Sequence, residues 1–353
     1  NDSKARATLN LLEHRLKIAA NEILFFEIKL GTVSKDKQYE FLNAKKLERF
    51  KYYLERIFIT AKYNLSANEE KILNLKSLPA YGMWVDAHEK LISSKMIAWK
   101  GKKYPLAKAL GMINDLPTKE RYALRNQINE ICKEVSFLSE AELNAVCTNK
   151  KIDDGLRGVT KPYELTAIGY HNTVKEVESL VETVTKSFKI SHRFYKLKSK
   201  ILKLKNLKIA DTSIGVGKIK TKFTFEKSIE IITESFKDAD SVFEEIFTRM
   251  LHQGRIDVYP KQHKRGGAFC NHGQNVPTIV LLNHADNFDS LSTLAHEMGH
   301  AIHSELSRSQ PILYRDYTIS VAEVASTFFE NIAFENIFEK YAIIIFMTEN
   351  RID

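Results

Sequence analysis

The chain has 353 residues, 44% hydrophobic and 27% charged, with a net charge of +9, which is enough apolar material for a sizeable core in about two domains. Its longest apolar runs, such as Ala342 to Met347, fall far short of the roughly 18 residues of a membrane span, so no membrane partner is expected. Three cysteines, Cys132, Cys147 and Cys270, are odd in number, far apart and without a CxxC spacing, which excludes a disulfide framework and a thiolate zinc site and points to a cytoplasmic home.

The opening, Asn1 through Leu12, has no apolar leader core and no initiator methionine, as expected of a chain that begins inside a longer one. From Ala5 to about Ile209 the pattern predicts helix after helix. Ser66 to Glu69 marks one start, before Ile72, Leu73 and Leu75. Breaks at Leu78 to Gly82, Lys100 to Pro105 and Leu116 to Lys119 predict helices of moderate length packed as hairpins. Residues 1–125 are expected to form a helical domain and 126–353 a second, catalytic one.

Much of the positive charge lies between Lys186 and Lys227. There Ile190, Phe194, Leu197, Ile201 and Leu204 recur at helical spacing, with Lys196, Lys198, Lys200, Lys203 and Lys205 between them. The expectation is an amphipathic helix whose lysine-coated outer face meets solvent, with no nucleic-acid partner. After Asp211, Gly215-Val216-Gly217 reads as a turn, lacking the other residues of a nucleotide fingerprint, and Lys218 to Phe225 alternates like a strand.

Arg255 to Tyr259 and Thr278 to Leu282, separated by a turn at Gly266 and Gly267, predict a small sheet. Asp286 and Asp289 then offer N-caps for a helix whose apolar face is Leu291, Leu294, Ala295, Met298, Ile302 and Leu306.

That helix carries His296-Glu297-Met298-Gly299-His300, an HExxH motif. Positions i and i+4 lie one turn apart on nearly the same face, so both imidazoles can converge on one cation. Glu297, about 100° around the axis, can reach a water beside that cation. A pattern with a third histidine at position 306 is excluded, because that residue is Leu306. His303 lies roughly 10 Å along the helix from His296, too far to share the ion, and is read as structural.

The remaining source of a third ligand is a carboxylate on a following helix. Ser320-Val321-Ala322-Glu323 opens one, with Val324, Ala325, Phe328 and Ile332 as its expected buried stripe. Glu323 is the candidate, although an S-x-x-E capping box would use the same side chain. Thr327 is a lesser candidate for supporting it.

Thr293 to Ser304, with Ser320 to Thr327, closely resembles the thimet-oligopeptidase family, and within it the oligoendopeptidase F branch. Lys264 to Phe269 and Pro277 to Asn283 are similar to the family's Gly-rich segment and cleft-side strand. The resemblance implies a mainly α fold, a helical shell around a peptide-binding channel, with the small sheet beside the HExxH helix. It implies one Zn²⁺ per chain held by His296, His300 and Glu323, a water activated by that ion as nucleophile, and Glu297 as general base. Gly266, Gly267 and Ala268 would hold substrate backbone as an added strand. Family members continue past the ligand glutamate, so the chain, ending at Asp353, is expected to be truncated at both ends. The implied activity is hydrolysis of short, unstructured oligopeptides. A non-catalytic peptide-binding or scaffold fragment with a structural or vestigial metal site is the alternative, and a structural site would need a fourth protein ligand, for which His272, His284 and His303 are the nearby imidazoles.

Overall fold

The computed structural model describes residues 3–215, 222–273 and 275–341. Its helices are α1 (Ser3–Gly31), α2 (Lys35–Asn43), α3 (Lys51–Thr60), α4 (Ala67–Ser77), α5 (Met83–Ser94), α6 (Leu106–Met112), α7 (Thr118–Leu156), α8 (Glu164–Gly169), α9 (Val174–Ile201), α10 (Phe225–Ala239), α11 (Ser241–His252), α12 (Phe288–Ser307) and α13 (Ile319–Tyr341). Strands are few and short: β1 (Met96–Trp99), β2 (Lys102–Pro105), β3 (Ile256–Asp257), β4 (Phe269–Asn271) and β5 (Ile279–Leu281). The fold is mainly α, as expected from the sequence.

The chain divides into two compact units, Asn1–Glu89 with Ser136–Glu178, and Lys90–Val135 with Ser179–Asp353. This is a different division from a single cut at 125/126. α7 runs unbroken for 39 residues, so nothing in it marks a boundary there. The expectation of moderate helices also needs correcting at Leu78 to Gly82. Pro79 sits at the start of a π-turn that passes directly from α4 into α5, so the proline is absorbed by a local change of helical pitch and does not end the helical path.

In the first unit, Ser66 and Glu69 close a reciprocal capping box at α4. Arg157 grips Glu70 with both terminal nitrogens, and that hydrogen-bonded pairing holds the Glu70 carboxyl below the usual range.

The second unit holds three apolar clusters among the described residues, the smallest made by Phe223, Ile231, Leu291, Phe334 and Ile337. Around the β1–β2 hairpin, Ile97 and Trp99 turn inward against Leu106, Ala109, Leu124 and Ile128. The larger core gathers Ile232 and Phe236 of α10, Phe247 and Met250 of α11, Val280 of β5, Leu294, Met298 and Ile302 of α12, and Phe329 and Ala333 of α13. β5 lies between β3, parallel to it, and β4, antiparallel with Phe269 opposite Leu281. The small sheet is therefore present, and β4 is one of its two edge strands.

On α9 the expected amphipathic pattern holds in part: Lys196 and Lys200 are exposed as expected, but one lysine and much of the apolar stripe depart from it. Ile190 and Leu197 are exposed, whereas Lys198 is buried and donates to the Thr212 carbonyl. A long lysine stem can lie in an apolar environment when its ammonium finds a carbonyl, so periodicity alone misassigns the faces. Val216 to Thr221 of the expected turn and strand lie outside the described residues, and Phe225 already begins α10.

At α12 the N-cap is Asn287, whose side-chain oxygen accepts from the Ser290 amide at 3.1 Å, not Asp286 or Asp289. Asp289 falls in the first helical turn, where a carboxylate complements the helix dipole. The apolar face from Leu291 to Ile302 is buried as expected, but Leu306 is exposed. On α13 the expected stripe is rotated: Val324 and Phe328 face outward, and Ser326, Phe329, Ala333 and Ile337 are buried. That rotation puts Glu323 on the face turned to α12.

Candidate metal centre

α12 carries both histidines one turn apart, their rings edge-to-face with centroids 4.9 Å apart. Glu323 Oε2 stands 3.4 Å from His296 Nε2 and 3.8 Å from His300 Nε2. Bonds of about 2.0–2.2 Å in a tetrahedral set put ligand atoms about 3.3–3.6 Å apart, so this spacing fits a zinc ion. Ligand atoms of His296, His300 and Glu323 all lie within 4.8 Å of one another, the one such group among the described residues. Glu323 is not engaged in a capping box. Ser320 lies inside the first turn of α13, and the Glu323 carboxylate accepts instead from the Ser326 hydroxyl at 2.9 Å. Thr327 donates to the backbone carbonyls of Glu323 and Val324.

Gly299 makes this convergence possible. A Cβ built there would stand 2.7 Å from the Ser326 Cα and 3.0 Å from the Ala325 carbonyl oxygen. Only a residue without a side chain lets α12 and α13 approach this closely.

Glu297 is buried, and its Oε2 has no hydrogen-bond partner. Burial pushes its carboxyl up to about 7, against the pull of the neighbouring His296. An orphaned acceptor of this kind marks a place for a water or ligand. The donor chemistry, the ligand spacing and this orphan together fit a catalytic zinc.

The sequence reading missed Glu330. It follows Glu323 by two turns on the same face of α13, places Oε2 3.4 Å from His296 Nδ1, and accepts at Oε1 from the Ser292 hydroxyl at 2.6 Å. Its carboxylate raises the His296 ring above the usual imidazole range despite burial. Burial pushes the Glu330 carboxyl up, but the His296 and Ser292 contacts outweigh it and hold the group low. Burial lowers His300, with His296 adding to the effect. A carboxylate behind a ligating imidazole fixes the ring and its tautomer. The i+7 spacing from Glu323 was the available signal. Replacing Glu330 with Gln is expected to weaken zinc binding about 10- to 100-fold, read by competition with a chromophoric chelator.

The three other imidazoles are engaged elsewhere. His303 stacks on Tyr317 with centroids 3.9 Å apart, and His272 stacks on the same ring. His284 is buried, 3.4 Å from the Ser228 hydroxyl and accepting from the Asp286 amide. Gly266, Gly267 and Ala268 form the bend leading into edge strand β4, with Gly267 at φ +72°. The Asn283 amide donates to the carbonyls of Arg265 and Gly267 at 2.8 and 2.7 Å.

Residues 141–342, more than half of the chain, match the model of peptidase family M3. The chain belongs to that family. A second match, to oligopeptidase F, covers residues 29–96. Group B oligopeptidase PepB of Streptococcus agalactiae is 28% identical over 327 residues, spanning 90% of this chain and 54% of the relative. An oligoendopeptidase F homolog of Lactococcus lactis is 26% identical over 333 residues, again 90% of this chain and 54% of the relative. The chain thus spans about half the length of these curated relatives. The solved structure of PZ peptidase A with an inhibitor superposes with a TM-score of 0.79 at 17% identity, covering 96% of this chain and 59% of that one. That likeness establishes the fold, and this M3 chain shares its helical architecture with small sheets.

Proposed function

We propose that the chain carries the catalytic centre of a zinc-dependent endopeptidase that cuts short, unstructured oligopeptides. What supports it most is the buried Glu297 carboxylate, whose Oε2 has no hydrogen-bond partner, beside three convergent donors. His296, His300 and Glu323 would hold one zinc ion per chain. When bound, the cation supplies Lewis-acid chemistry to a water and to the scissile carbonyl. Glu297 takes the proton from the attacking water and delivers it to the leaving amine. β4, an edge strand preceded by Gly266, Gly267 and Ala268, would take an extended peptide as an added strand, a mode that binds backbone with little sequence selectivity.

Two observations favour this over a closed structural site. No fourth protein ligand joins the group among the described residues, and the Glu323 side chain is 46% exposed, leaving the centre open on one side. A cytoplasmic setting agrees with the three free cysteines, and no described helix is long and apolar enough to cross a membrane.

Cleavage of an internally quenched peptide tests the proposal. Activity should disappear with a chelator and return with added zinc, and cleavage indifferent to the chelator would refute it. Zinc affinity should also depend on pH. Before zinc binds, Glu297 and His296 hold protons to higher pH than isolated groups of the same kind where the named neighbours or burial raise them. Because the cation displaces the His296 proton and repels one on neighbouring Glu297, affinity is expected to rise from about pH 6 to about pH 8, with proton release measurable by calorimetry in buffers of different ionisation enthalpy.

A further inference from the structure

Behind the bend at Gly266 to Ala268 lies a cavity of about 370 Å³. Its walls come from α6, the start of α12 and the end of β5, and Leu106, Ala107, Leu110, Leu282 and Ala268 make much of its lining. These walls are cross-linked. Asn287 donates to the Gly111 carbonyl at 2.9 Å, joining the cap of α12 to the end of α6, and Asn114 donates to Asp289 at 3.0 Å. Asn283 pins the third wall through the carbonyls of Arg265 and Gly267. A preformed apolar pocket with polar groups fixing its frame is the ordinary form of a side-chain binding site.

Its position identifies the occupant. Thr293, Ser290 and Asp289 line it from α12, and they precede His296 by three to seven residues, roughly 5–10 Å along the helix axis. An extended peptide advances about 3.3 Å per residue. A chain added along the β4 edge with its scissile bond at the metal centre, running toward the start of α12, would carry its second or third residue past this opening. We infer that the cavity is a specificity pocket for a large apolar side chain two or three residues from the bond that is cut. This rests on the peptidase reading for its register, and adds side-chain selectivity to a main-chain binding mode.

Leu110 is 43% exposed at the pocket and is not needed for the core, so it can be changed without threatening the fold. Fluorescent alanine-based peptides carrying Gly, Leu or Phe at each position in turn would be mapped for cleavage with the wild-type chain. Their affinities would be measured by anisotropy in the zinc-loaded Glu297→Gln chain. Burying one such side chain favours the Leu over the Gly peptide by roughly ten- to a hundredfold. Leu110→Trp should erase most of that ratio, and Leu110→Ala should move the preference toward Phe. If the wild-type chain cuts in a chelator-sensitive way and both variants keep its selectivity, the pocket inference falls and the peptidase reading stands. Leu110-dependent binding without any cleavage would leave the pocket standing and overturn the peptidase reading, and a chain that neither binds nor cuts would overturn both.

Discussion

Replacing Glu297 by glutamine is expected to lower peptide hydrolysis by about 10²- to 10⁴-fold while zinc remains bound. Glutamine keeps the size of the side chain, and its amide can still hydrogen-bond a water, but it cannot accept that water's proton. Glu297 is not among the three convergent ligands, so metal content should not change. The two readouts must be taken together. Hydrolysis at the parent rate with normal zinc would remove Glu297 from the role of base, whereas a chain that loses its zinc would reveal Glu297 as part of the binding set.

Gly299→Ala is expected to reduce stability by about 1–3 kcal/mol and to weaken zinc binding by roughly tenfold or more. The new Cβ meets the Ser326 Cα at 2.7 Å, a backbone atom that cannot swing aside, so α12 and α13 must part. Glu323 rides on α13 and its Oε2 is set 3.4 and 3.8 Å from the two imidazoles, so even a small separation opens the ligand set. Thermal unfolding with and without zinc separates the two effects. A variant as stable as the parent, with undiminished zinc affinity, would show that the helices do not approach this closely.

The HExxH spacing was legible because it is a property of one helix: i and i+4 share a face whatever surrounds them. The buried face from Leu291 to Ile302 followed from the same periodicity. What escaped the sequence depends on two elements meeting. On α13, Val324 and Phe328 look like core residues, yet the close approach that Gly299 permits goes with Ser326, Phe329 and Ala333 turned inward. Glu330 has meaning only once that rotation is known, because its partners His296 and Ser292 are on α12. Lys198 reads as solvated from its neighbours in sequence, but the Thr212 carbonyl that receives its ammonium is supplied by a later segment. Asn287 takes the cap from its aspartate neighbours while also binding Gly111, a long-range contact with no local trace.

Zinc stoichiometry of the purified chain and of its His300→Ala and Glu323→Ala variants tests the metal centre most directly. One tightly held zinc per wild-type chain, lost or greatly weakened in both variants while the folded state persists, is the expected result. Undiminished zinc in both variants would place the metal elsewhere and contradict the assignment of His296, His300 and Glu323.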